Sequence, residues 1–148
     1  MIEIRAANES DLDWLVGEMR EFDRLYKTKK RLFSDENYVR AKMLEVVKEH
    51  VCLVAEEGSE RIGLIAGLLT PHFYNPRIGV LSELFWGVNL KYRRTMAASM
   101  LMDVLVSIGK EHADWITFNV ARFCPVRKES FVRRGFEVSD QVYLMEVE

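Results

Sequence analysis

Apolar and polar residues change their spacing along the chain, and the changes predict its elements. Ile2, Ile4 and Ala6 alternate with Glu3 and Arg5, giving a first strand with one wet face. Leu12, Leu15, Val16, Met19 and Phe22 then recur at helical steps, behind Ser10 as an N-cap with Asp13 three residues on. Ser34-Asp-Glu opens a second helix to about Glu49, with Tyr38, Ala41, Leu44 and Val47 as its inner face. Val51–Ala55 and Ile62–Leu69 read as strands joined by a turn at Glu57-Gly-Ser-Glu60. Gly63 and Gly67 weaken the second of these and predict a bend or bulge. Val80–Val88 is a fourth strand. Ala97, Leu101, Val104, Leu105 and Ile108 share one face of a third helix that ends near His112. Trp115–Val120 is a fifth strand. A short helix follows, with Pro125 at its first position, and runs through Arg134 to a closing Gly135. Phe136–Val138 and Val142–Val147 read as a final hairpin.

The stretch from Leu84 to Leu101 concentrates the candidate chemistry. Its apolar, aromatic strand passes through a basic turn into a helix, and the first turn of a helix leaves N–H donors free under a positive partial charge. Such a turn suits a phosphate or other anion, and Arg93 and Arg94 strengthen it; a solvated turn is the equal alternative. Glu83 lies among Leu81, Leu84, Phe85 and Trp86. It either faces solvent at a sheet edge or sits in a cleft with a raised pKa, where it suits a general base. Lys27-Thr-Lys-Lys-Arg31 reads first as a solvated loop and second as a substrate-facing loop for acidic partners. The loop with His72, Phe73 and Tyr74 reads either as a surface aromatic cluster or as one wall of a cleft.

Composition narrows the classes. The 148 residues predict a single domain, 1–148, and 49% hydrophobic with 30% charged residues excludes disorder. No apolar run is long enough for a membrane span, and Met-Ile-Glu-Ile-Arg lacks a signal-peptide core. A net charge of −2 argues against a nucleic-acid binder, although the arginine-rich stretch 122–134 keeps that reading as a third alternative. Cys52 within an apolar run fits a buried thiol in a reducing compartment, so the expected location is the cytoplasm. The spacing of the two cysteines and three histidines offers no zinc site, so no metal is expected.

The element order, β-α-α-β-β-β-α-β-α-β-β, resembles the GNAT superfamily of acyl-CoA N-acyltransferases over nearly the whole chain. Three local stretches carry the resemblance. Arg93-Arg94-Thr95-Met96-Ala97-Ala98 is similar to the family's Arg/Gln-x-x-Gly-x-Gly/Ala. Phe131-Val-Arg-Arg-Gly135-Phe136 is similar to its Tyr-x-x-x-Gly-Phe ending, and Ile-Glu-Ile-Arg-Ala-Ala before a capped helix is similar to its opening. Glu-Leu-Phe-Trp before an arginine turn also looks like phage-encoded members. The resemblance implies a mixed α/β (α+β) fold with a mostly antiparallel sheet of about six to seven strands, flanked by about four helices, its fourth and fifth strands splayed.

It implies acetyl-CoA as co-substrate and an amine acceptor, on a small molecule or a protein. The backbones of Trp86 and Val88 would pair with the pantetheine amides. The N–H groups of Arg93, Arg94, Thr95, Met96, Ala97 and Ala98 would cradle the pyrophosphate, and Asn119 with Val120 would line the other side. Glu83 is the implied base. Phe131 stands where the family has a tyrosine as its acid, so the substitute is Tyr143 or a water, or the thiolate, a good leaving group, departs without an acid. Met96 replaces a glycine, which is tolerated if its backbone is ordinary right-handed helix. Arg122, Arg127, Lys128, Arg133 and Arg134 either meet the CoA 3′-phosphate or form a solvated face. The second function reading is a catalytically inactive binding protein of the same fold. Oligomeric state stays open, a homodimer included.

Overall fold

The computed structural model describes residues 1–148. One five-stranded sheet carries the fold, in the order β1-β2-β3-β4-β5. Its strands are β1 (Ile2–Ala6), β2 (Val51–Glu57), β3 (Glu60–Pro71), β4 (Gly79–Val88) and β5 (Trp115–Thr117). The first three pairings are antiparallel and β4–β5 is parallel, because helix α3 (Ala97–His112) crosses between those two strands.

Two apolar layers close on the sheet. Helices α1 (Leu12–Leu25) and α2 (Glu36–Glu49) cover one face, where Leu12, Leu15, Met43 and Val46 meet Cys52, Leu64, Ala66 and Phe85. Helix α3 covers the other, where Ala97, Leu101 and Leu105 meet Leu53, Ile62, Ile65 and Leu81. Gly109 allows α3 to lie close to the sheet, since a Cβ there would come within 2.5 Å of the Ile116 side chain.

Several expectations change. The sheet has five strands, fewer than the sequence pattern suggests. Val142–Val147 and Phe136–Val138 form no strand, and β5 stops at Thr117, so no rung beyond it exists for a hairpin to extend. The C-terminal segment is held elsewhere: the Glu146 carboxylate accepts the backbone N–H groups of Lys29 and Lys30, both at 2.9 Å. These two donors also draw its pKa below the usual range. The first cap moves as well. Asn8, not Ser10, is the N-cap of the 3₁₀ turn Glu9–Asp11, and Asp11 completes the capping box. In α2 the expected inner face holds at Leu44 and Val47, which pack against the core, but Met43 and Val46 are the buried positions, Ala41 is exposed and Tyr38 is 61% exposed. The last helix, α4, is only Lys128–Val132 and leaves Pro125 outside.

Other expectations hold. Gly58 has φ +62 in the β2–β3 turn. A register shift falls between Ala66 and Gly67. After α4, Gly135 takes φ +92 while Gly135 N–H and Phe136 N–H bond back to Val132 and Phe131 carbonyls, a Schellman closure.

Candidate active site

The site begins where β4 and β5 part. Only Val80–Ser82 of β4 pairs with Trp115–Thr117; from Glu83 to Val88 the strand has no β5 partner. The register explains the bend. Ala66 pairs with Phe85 and Gly67 with Glu83, so Leu84 is an extra residue opposed to nothing. Such a bulge twists its strand and swaps the alternation of faces. Leu81 therefore belongs to the α3 layer and Phe85 to the α1–α2 layer, although they are four residues apart.

Beyond Val88 the chain turns through a 3₁₀ turn, Leu90–Tyr92, into α3. Asn89 caps the turn by accepting Lys91 N–H, and Thr95 Oγ1 accepts Ala97 N–H at 3.3 Å. Arg93 and Thr95 N–H groups bond to Leu90 and Tyr92 carbonyls. The N–H groups of Arg94, Met96, Ala98 and Ser99 meet no protein acceptor. Two of these four free donors lie just before the 16-residue helix α3 and two in its first turn, where the partial charge is positive and an anion can accept from them. Arg93 and Arg94 are exposed and neither forms an ion pair, although Arg93 Nε lies 3.4 Å from Val88 O. Met96 has φ −80 and ψ 1, a conformation that needs no glycine, and its side chain is 69% exposed.

Glu83 lies at the apex of the parting. It is part-buried, accepts Asn119 N–H at 3.4 Å, and has no cation beside it. Burial pushes its carboxyl up to about 7, and the Asn119 hydrogen bond offsets only part of that rise. Asn119 itself is exposed.

Trp86 packs on the α3 layer and meets Phe118 edge-on at 5.6 Å and Phe131 at 6.3 Å. Phe136 closes the group against Phe118 and Phe131. On the other layer Phe22 meets Phe85 and Phe123, and Tyr26 meets both Phe22 and Phe123. Sequence reasoning did not single out Phe118, inside its expected fifth strand, or Phe123, just past it; their only signal was aromatic character.

Other candidates stand apart from this constellation. Tyr143 is 88% exposed and its hydroxyl donates to Gln141. Within the basic cluster, Arg134 is committed to Asp103, Ser99 and Ser130. A cleft of about 460 Å³ is lined by Val126, Arg127, Glu129, Ser130 and Arg133, and Glu83 is not among its walls. Phe73 and Tyr74 are 91% and 86% exposed and meet edge-on. Glu45, Glu49 and His50 come close enough to share an ion. His50 Nδ1, however, already accepts Leu69 N–H, which leaves the proton on Nε2 and no free lone pair for a metal.

No family model matches this sequence, and no curated protein matches it. Solved structures do match. A transcriptional regulator from Bacillus halodurans is 21% identical, with a TM-score of 0.74 over 99% of this chain and 100% of that one. A predicted acetyltransferase with acetyl-CoA from Clostridium acetobutylicum is 17% identical, with a TM-score of 0.75 over 99% and 96%. A GNAT family acetyltransferase from Staphylococcus aureus is 16% identical, with a TM-score of 0.69 over 99% and 98%. The chain has the GNAT fold. At these identities the likeness is one of architecture, and it spans the whole GNAT domain rather than a shared fragment. On that GNAT frame the chain brings Glu83, Trp86 and Asn119 to the parted strands and the free N–H groups to the adjoining turn. It does not bring Tyr143 there. No helix is long and apolar enough to cross a membrane.

Proposed function

We propose that the protein is an acetyl-CoA-dependent N-acyltransferase that moves an acetyl group to an amine. The observation that carries this reading is the row of unpaired N–H groups on Arg94, Met96, Ala98 and Ser99, set beside strands that have separated. That row matches a diphosphate in charge and donor count. The gap between β4 and β5 then receives the pantetheine arm, with Trp86 and Val88 on one side and Asn119 on the other.

Acetyl-CoA supplies the acyl group as a thioester. The residues of this chain supply position and a proton acceptor. As the acceptor amine forms its C–N bond and the C–S bond breaks, the ammonium proton passes to the Glu83 carboxylate. Phe131 has no proton to give, so the leaving thiolate, a good leaving group, takes its proton from solvent. Thermal melting tests the reading. At a hundredfold excess over Kd, acetyl-CoA should add about 2.7 kcal/mol, several degrees for a domain of this size. No shift at millimolar acetyl-CoA overturns it.

One observation favours a second reading, a binding protein without turnover: the Phe118, Phe131 and Trp86 rings bridge the two strands on the α3 side and offer no acid. Binding of acetyl-CoA without thiol release across a panel of amines would select it.

A further inference from the structure

Trp86 carries a feature that the proposed transfer does not use. Its indole Nε1 is the one buried side-chain nitrogen or oxygen with no hydrogen-bond partner. A buried donor left unpaired costs roughly 1–3 kcal/mol, and native structures rarely keep one without a reason. Its aromatic neighbours, Phe118 and Phe131, offer no acceptor oxygen. Their edge-on packing gives the N–H at most a weak contact with a π-face. A carbonyl oxygen brought by a ligand needs only this one donor.

The position of Trp86 says which carbonyl. Along β4 it stands between Val88, next to the anion cradle, and Glu83, at the apex of the parting. It has no β5 rung beside it, and its ring touches Phe118, one residue past the end of β5. A chain running from the cradle to Glu83 passes Trp86 midway. Three strand residues span about 10 Å, which separates Trp86 from the acyl end.

Resting on the proposed use of acetyl-CoA, we propose that the Trp86 side chain is a positioning residue, its indole N–H donating to an amide carbonyl of the pantetheine arm. This bond is distinct from backbone pairing along β4, because it comes from the side chain on the α3 face. It exchanges an unsatisfied donor in the free protein for a satisfied one in the complex, so part of the binding energy comes from relief of that defect.

Indole ¹⁵N–¹H spectra test this directly. Trp14, Trp86 and Trp115 give three signals, and Trp86→Phe identifies its own by loss. If that variant does not fold, Trp14→Phe and Trp115→Phe identify it by elimination. Calorimetry first establishes saturation with CoA, which keeps the amides and lacks the acyl carbonyl. The expected result is a downfield move of the Trp86 signal with CoA and with acetyl-CoA alike. Folded Trp86→Phe should bind CoA about three- to tenfold more weakly. CoA bound with the Trp86 signal unmoved, or a shift with acetyl-CoA alone, overturns the proposal and leaves the transferase reading intact. No binding of either compound overturns both.

Discussion

Asp11 and Glu83 are two inward-facing carboxylates on opposite layers of one sheet, and they differ in what surrounds them. Asp11 is fully buried and saturated. Arg5 grips it with both terminal nitrogens at 2.8 Å, Arg61 Nε adds a third contact at 2.8 Å, and Asn8 N–H a fourth at 2.9 Å. The Arg5 hydrogen bonds, more than offsetting burial, hold its pKa far below the usual carboxylate range, while Asp11 in turn raises that of Arg5. Glu83 has one long backbone contact and no cation. A carboxylate buried with its counter-charges is a fixed strut; one buried without them holds its proton near neutral pH and can exchange it.

The largest effect should come from breaking the strut. Asp11→Asn leaves two arginines facing a neutral amide, at a cost of about 3 kcal/mol and a melting point lower by roughly 10 °C. If calorimetry finds Asp11→Asn as stable as the parent, the two carboxylates do not differ as described. Glu83→Gln should do the reverse. Acetyl transfer measured as thiol release falls about 100-fold, while the melting temperature above pH 7 does not drop.

The pH dependence sharpens the contrast, since the two groups carry opposite signs. The folded pKa of Glu83, about 7, lies above its ordinary 4.5, so the folded state binds the extra proton between them. Glu83 therefore adds stability at low pH that disappears as pH rises through 7, at most about 3 kcal/mol. Asp11 has its pKa depressed, so its contribution is present above pH 3.8 and is lost as pH falls below that value. Denaturant titrations of the parent and Glu83→Gln should converge as pH falls from 7 to 4.5 if both are referenced to the neutral glutamine. Transfer activity should drop about tenfold per pH unit below 7.

Much of this was legible in local pattern. The β2–β3 turn needed only Gly58, the bulge only Gly67 on a strand, and the closure of α4 only Gly135, because each is decided by a residue or two of backbone geometry. Glu83 stood out because a carboxylate within Leu81–Trp86 is rare. What could not be read depends on distant partners. Asp11 meets Arg61 from fifty residues away, and nothing near Asp11 announces it. The stretch Val142–Val147 has a strand's composition, yet composition does not supply a neighbouring edge, and Glu146 binds the Lys29–Lys30 backbone instead. In α2, Tyr38 and Val39 begin adjacent apolar stripes; tertiary packing buries Met43 and Val46 of one most deeply and keeps Leu44 and Val47 of the other partly buried beside them.

Smaller effects belong to the cradle. Replacing Arg93 and Arg94 together by alanine should weaken CoA binding about tenfold at low salt and less at high salt, because exposed charges are screened. Met96→Gly should change affinity less than about threefold, since the Met96 N–H is already free and its backbone unstrained. A large gain on Met96→Gly would show that the thioether obstructs the phosphate after all.

The central claim is that burial without a counter-charge makes Glu83 a base at neutral pH. Carboxyl ¹³C titration of Glu83, assigned by Glu83→Gln, addresses it without any acceptor in hand. The account predicts a midpoint of about 7, well above the ordinary 4.5. A midpoint near 4.5 would contradict it, and Glu83 would then be an ordinary surface acid on a folded scaffold.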